Sequence, residues 1–218
     1  MNGEEARGGE GASVPPVERG LAHDLAGRAQ RMYRIYLGLG ANLGDRRASL
    51  RRALRLLAHL EDTQLLRVSS FYETPPWGNE KQPPFLNACA ALETRLSPLV
   101  FLRRAQRIER ALGRVRKEHW GPRTIDIDLL FAEGFESAAP ELCLPHPYLH
   151  ERAFVLLPLT EIASGLIVRG RKIDEWLADL SESAACCKCG SAYRPIKNKR
   201  KAFSSKRKAI FSCWNMVE

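Results

Sequence analysis

The sequence predicts an α+β fold: a ferredoxin-like βαββαβ core with an additional C-terminal strand and helices, in a three-layer αβα arrangement. Three observations carry this. Strand-like and helix-like stretches follow one another in the order β-α-β-β-α-β between residues 33 and 131. The helical stretches are apolar along one face, so each must cover a sheet. The chain has 218 residues, 44% of them hydrophobic, which is enough for one domain with flanking segments.

The elements run as follows. "YRIYLGLG" (33–40) alternates like a strand and enters a turn, "ANLGD". Residues 46–60 place Leu50, Ala53, Leu54, Leu57 and Leu60 on one helical face. "LLRVSSFYET" (65–74) and "FLNACAALET" (85–94) read as strands, separated by the proline-rich loop 75–84. Ser97 has the position of an N-cap, Pro98 the first helical position, and Gly113 the helix stop. A basic loop (114–123) leads to a strand at 124–131. A helix over roughly 148–163, a short strand near 166–169 and a helix from 172 to 180 close a domain spanning 32–180.

The flanks differ in kind. Residues 1–31 are rich in Gly, Glu and Arg without hydrophobic period and are expected to be disordered. Residues 181–218 form a basic, cysteine-containing tail, also expected to be disordered. It carries nine Lys and Arg against Glu182 and Glu218, so it supplies +7 of the net charge of +9. Any nucleic-acid binding would therefore rest on the tail. Every motif of interest lies between residues 33 and 180, so the tail is expected to be dispensable for chemistry. Cys186 and Cys189 have a zinc-like spacing without a second pair; Cys89 and Cys143 sit in apolar surroundings and read as buried. No apolar run is long enough to span a membrane, and the first thirty residues lack an apolar signal region, so the default address is cytoplasmic.

Several constellations carry chemistry. "GLGANLGD" (38–45) has neither dinucleotide spacing nor a P-loop lysine and reads as a strand-to-helix turn. In "GPRTIDIDLLF" (121–131), Asp126 and Asp128 fall on one face of a strand, with Cα atoms roughly 6.5–7 Å apart. Ile125, Ile127 and Leu129 fall on the other. Two carboxylates so close need a cation: arginine, lysine or a metal. A solvated strand face paired to arginines is one reading. Arg114, Arg116, Lys117 and Arg123 arrive within a dozen residues, more cations than two carboxylates require. That mixture suits a metal–polyphosphate complex. Trp120 in a Gly/Pro-flanked loop is either core or a lid over a planar ligand. Trp77 and Phe85 offer aromatic faces and Asn87 a fixed amide, which suits a flat amide-bearing heterocycle or a plain hydrophobic corner. His146 is held between prolines, with Arg152 and Phe154 following.

Five stretches, in order, carry a resemblance: "YLGLGANLGD", "SSFYETPPWG", "QPPFLNACAALET", "QRIERALGRVRKEHWGPRTIDIDLLF" and "LPHPYLHERAFVLLPLTEIA". Together they resemble the 6-hydroxymethyl-7,8-dihydropterin pyrophosphokinases of folate biosynthesis, over roughly residues 33–180. The resemblance implies an ATP-dependent pyrophosphokinase in which the pterin hydroxyl attacks the β-phosphorus of ATP and AMP leaves. It implies two Mg²⁺ ions on Asp126 and Asp128. It implies a pterin pocket of Thr74, Pro76, Trp77, Phe85, Asn87 and Phe154, with Trp120 closing over it. Gln106, Glu109, Arg114, Arg116, Arg123, His146 and Arg152 would lie around ATP, and Arg114 and Arg123 would stabilise the moving group. It further implies a monomer. Two positions depart from the commonest pattern, His119 before the tryptophan and Cys143 before "LPH". An RNA-binding protein of the same fold and an inactive homologue are the alternatives; the former lacks an RNP-type signature, and Asp126, Asp128 and Arg123 speak against the latter.

Overall fold

A computed structural model describes residues 31–76, 81–114, 121–180 and 187–189. Its centre is an antiparallel sheet with helices on both faces. The strands are β1 (Tyr33–Ala41), β2 (Thr63–Val68), β3 (Tyr72–Thr74), β4 (Phe85–Thr94), β5 (Asp126–Ala132) and β10 (Cys187–Lys188). Their order is β10-β3-β4-β1-β5, with β2 also pairing with β4. Two hairpins lie outside this sheet, β6 (Ser137–Ala139) with β7 (Leu142–Leu144), and β8 (Ile167–Val168) with β9 (Arg171–Lys172).

Helices α1 (Arg46–Ala58) and α2 (Pro98–Ala111) cover one face of the sheet. Leu50, Ala53, Leu54 and Leu57 of α1 and Phe101, Ala105 and Ile108 of α2 pack there with Ile35, Leu37, Leu39, Leu86, Ala88, Ile125, Ile127 and Leu129. Helices α3 (Ala153–Ala163) and α4 (Ile173–Ala178) cover the other face, where Val155, Leu156, Leu159, Ile162 and Ile173 pack on Tyr36, Cys89, Ala91 and Leu130. The apolar stripes of α1 and α2 dictate where those two helices lie. Asp45 caps α1, its carboxylate accepting from the Ala48 N–H at 2.9 Å. Gly113, at φ +81°, takes the left-handed conformation that ends α2. Among the described residues no helix is long and apolar enough to cross a membrane.

The expected strand at 65–74 is two strands. Residues 69–71 leave the ladder because the Ser69 hydroxyl accepts from the Cys89 N–H while Glu161 of α3 takes both the N–H and the hydroxyl of Ser70. The helix expected from residue 148 begins at Ala153, after a 3₁₀ turn over Leu149–Glu151. The aspartate strand begins at Asp126, two residues later than expected. Cys143 is exposed rather than buried: β7 turns Leu142 and Leu144 inward, so the residue between them faces out. The tail is not disordered throughout, since Cys187–Lys188 pair with Glu73 and Tyr72 of β3. The rest of that segment apart from residues 187–189, and residues 1–30, lie outside the described residues.

Candidate active site

The site begins with two glycines. On β1, Gly38 stands between Cys89 and Asp128 in register, and Gly40 between Asn87 and Asp126. Residues two apart on a strand share a face. Gly38, Gly40, Asn87, Asp126 and Asp128 thus face the same side, and the missing side chains on β1 open a floor between the amide and the carboxylates. A Cβ at position 40 would meet Asn87 Oδ1 at 2.8 Å, whereas one at position 38 would make only ordinary contacts at 3.5 Å. Both glycines lie in the strand expected over 33–40, and the turn that follows has Gly44 at φ +62°.

Above this floor is a cleft of about 280 Å³, near the lower end of small-molecule sites. Its walls include Thr74, Phe85, Arg114, Arg123, His146, Arg152 and Phe154, drawn from five separate chain segments. Asn87 is buried, and its Nδ2 donates to Thr74 Oγ1 at 2.7 Å, which fixes the orientation of the amide.

The charges form a chain. Asp126 accepts from Arg123 through one oxygen and lies 2.6 Å from Arg114 Nη1 through the other, Oδ1, which is buried without a hydrogen bond. Arg114 also donates to Glu109, and Glu109 Oε1 accepts the Ile127 N–H at 2.7 Å. Burial raises the Glu109 pKa above its ordinary value, against the opposing pull of Arg114. Asp128 is pushed up to about 7, first by burial and then by the charge of Asp126, with Arg152 opposing. The Arg152 guanidinium lies over the Tyr148 and Phe154 rings at 5.0 and 5.7 Å. His146 is lowered to about 4 by burial and by Arg152. Its Nδ1 accepts the Tyr148 N–H at 3.2 Å, so the neutral ring carries its proton on Nε2.

Of the residues singled out in the sequence, the fold brings together Thr74, Phe85, Asn87, Arg114, Arg123, Asp126, Asp128, His146, Arg152 and Phe154. Pro75, not Pro76, lines the cleft. Glu109 is buried behind Arg114 rather than in the lining, and Gln106, one helical turn earlier on α2, does not reach it either. Glu109 also bears on the count of surplus cations, because it engages Arg114 as a third carboxylate. Trp77, Arg116, Lys117, His119 and Trp120 lie outside the described residues.

Asn42 escaped the sequence reading. It is 3% exposed; its Oδ1 accepts the Arg123 N–H at 2.7 Å, and its Nδ2 donates to Gln82 Oε1 and the Pro83 carbonyl. The Arg123 carbonyl in turn accepts the N–H groups of Asn42 and Leu43. One amide thus ties the end of β1 to the segments before Phe85 and after residue 121. A polar residue in an otherwise tight turn was its only sequence signal.

The site can hold a flat polar ring against Asn87 and anionic oxygens near three guanidiniums. Among the described residues no group of three His, Cys, Asp or Glu side chains forms a cation site. Two carboxylates alone leave most positions of a hard cation to other oxygen ligands, as with cations that bridge protein and phosphate.

A family model described as 7,8-dihydro-6-hydroxymethylpterin-pyrophosphokinase matches residues 36–164. A 2-amino-4-hydroxy-6-hydroxymethyldihydropteridine pyrophosphokinase of Methylorubrum extorquens is 48% identical over 152 residues, covering 70% of this chain and 96% of the relative. That of Haemophilus influenzae is 42% identical over 142 residues, covering 65% of this chain and 89% of the relative. Among solved structures, a Plasmodium falciparum HPPK-DHPS with pterin and p-hydroxybenzoate aligns with a TM-score of 0.56 at 15% identity. That alignment covers 73% of this chain and 45% of the longer one, and it speaks to fold alone.

Proposed function

This chain belongs to the 7,8-dihydro-6-hydroxymethylpterin-pyrophosphokinase family, and from that premise we propose how its residues divide the work. The reaction moves a pyrophosphoryl group from ATP to the hydroxymethyl dihydropterin in folate biosynthesis. The pterin hydroxyl oxygen bonds to the β-phosphorus and loses its proton. The bond from that phosphorus to the α-bridging oxygen breaks, and AMP leaves with the electron pair. This is an enzyme rather than an RNA-binding protein of similar fold, and ATP is its co-substrate.

The observation that carries the assignment is the shared floor: Asp126 and Asp128 face the same cleft as Asn87, with Gly38 and Gly40 between them. Asn87, oriented by Thr74, reads the pterin amide edge, and Phe85 and Phe154 supply apolar area. Pro76, Trp77 and Trp120 complete that pocket by family resemblance. Arg123 and Arg114 face the transferring group, where preorganised charge lowers the barrier most. His146 and Arg152 take the nucleotide side, and Gln106 and Arg116 join them by resemblance. Glu109 acts through Arg114, which it holds beside Asp126.

Asp126 and Asp128 fit Mg²⁺. Asp126 Oδ1 is buried without a hydrogen bond, and Asp128 takes up a proton far more readily than an ordinary carboxyl, because burial and the charge of Asp126 outweigh the opposing pull of Arg152. Two carboxylates on one face, one of them easily protonated, suit a hard cation as a further partner. Two ions are proposed; when bound, Mg²⁺ draws charge from phosphate oxygens. Positioning and electrostatics, rather than a general base, carry the step in this reading.

The strand order around β1 supports the ferredoxin-like description, and the family match within 36–164 supports a catalytic domain over 32–180. A monomer and a cytoplasmic address are proposed with it, on the family resemblance. The test is pterin-dependent AMP formation against Mg²⁺ concentration, with unfolding midpoints for each protein. Asp126→Asn and Asp128→Asn are expected to stay folded and lose on the order of a hundredfold or more in turnover. Near-wild-type turnover in either variant at ordinary Mg²⁺ overturns the metal assignment.

A further inference from the structure

The segment downstream of α4 enters the sheet next to the pterin wall. Cys187 and Lys188 pair antiparallel with Glu73 and Tyr72, and the Cys189 N–H donates to the Phe71 carbonyl at 2.7 Å. Both helical layers hold this short strand. From α1, Arg47 donates to the Cys189 carbonyl at 2.7 Å, with its guanidinium over the Phe71 ring. From α3, Glu161 lies 3.5 Å from Lys188 Nζ, and the same carboxylate accepts from the Tyr72 hydroxyl at 2.9 Å and from Ser70. Cys189 packs against the core edge.

What these contacts grip is β3. It is three residues long, is cut off from β2 by the break at 69–71, and holds to β4 through Tyr72↔Asn87, Glu73↔Leu86 and Thr74↔Phe85. Its last residue, Thr74, orients the Asn87 amide, and the next, Pro75, lines the cleft. A short strand with one open edge has exposed backbone groups and little to fix its position. We propose that residues 187–189 act as an intramolecular edge strand that positions β3, and through Thr74 the amide-reading wall of the pterin pocket. This rests on the assignment of that wall to the pterin. The chemistry at Asp126 and Asp128 lies on the far side of β1 and does not depend on the added strand, so the segment tunes substrate binding rather than turnover.

Two altered proteins test this: a chain ending at Leu180, and the full chain with Cys189→Pro, which removes the N–H that bonds Phe71. Calorimetry measures hydroxymethyl pterin binding in the presence of a non-hydrolysable ATP analogue, and binding of the analogue alone. Hydrogen exchange follows the amides of residues 72–74. Pterin affinity is expected to fall roughly 5- to 30-fold, the loss of one or two backbone hydrogen bonds. Analogue affinity stays within about twofold, and the β3 amides exchange faster. If the shortened chain does not fold, Cys189→Pro decides. Unchanged pterin affinity overturns the proposal, as does an equal loss for both ligands, which would mean that the segment supports the whole fold. If the unaltered chain binds the analogue but no pterin, the substrate assignment fails instead; exchange at β3 then still decides whether the strand docks, and unchanged exchange overturns it.

Discussion

A Cβ on residue 40 would lie 2.8 Å from Asn87 Oδ1, so the glycine is what allows the amide to stand where it does. The same residue faces Asp126 across the other ladder. Gly40→Ala is therefore expected to destabilise the fold by about 1–3 kcal/mol through overpacking, and to weaken pterin binding by displacing the amide. Gly38→Ala is the contrast, because its nearest neighbours sit at an ordinary 3.5 Å. Urea unfolding and pterin titration of the pair check this; equal behaviour of the two variants would show that Asn87 moves aside freely.

Asn87→Ala removes the polar group itself. Pterin binding should weaken by about 1–3 kcal/mol, the cost of leaving buried partners unpaired. Nucleotide affinity without pterin should hardly move, since Arg114, Arg123, His146 and Arg152 come from other segments of the cleft wall. Calorimetry with each ligand separately distinguishes the cases, and a matching loss for ATP counts against the assignment.

Arg123→Ala should lower kcat more than it weakens ATP binding. Its backbone is fixed by Asn42, and its guanidinium pairs with Asp126 and lies 5.7 Å over the Phe85 ring. A charge placed there acts most strongly on the diffuse negative charge of the transferring group. Single-turnover rates alongside ATP titrations give the split. A change confined to the ATP Kd would make Arg123 a binding residue only.

His146 predicts a pH effect on stability in the ligand-free protein. Its ordinary pKa near 6.5 is lowered to about 4 by burial and Arg152. The unfolded chain therefore takes up a proton on this ring between pH 6.5 and 4 while the folded chain does not. The stability contribution is complete above pH 6.5 and is lost as pH falls towards 4. Relative to His146→Gln, the wild-type protein should lose roughly 1–3 kcal/mol across that window, with allowance for its partial exposure. Urea unfolding at successive pH values measures the difference between the two proteins, and a difference independent of pH refutes the assignment.

Period and spacing settled much by themselves. The apolar stripes of α1 and α2, and the alternation that sets Ile125, Ile127 and Leu129 against Asp126 and Asp128, are local properties of a chain with fixed helical and strand repeats. The motif order that marks the family is likewise linear information. Pairing was not legible. Gly38 and Gly40 end an expected strand, but nothing local shows the floor that they open once β4 and β5 lie on either side of β1. Glu109 looks like a ligand contact until burial and Ile127 claim its carboxylate. Asn42 is one polar residue in a turn until residues 82, 83 and 123 converge on its amide. Residues 187–189 have no period to read, because three residues of strand exist only where β3 offers an edge. Each of these depends on partners between 18 and about 120 residues away in the chain. Local propensity carries no record of such distant partners; packing of the folded sheet selects them.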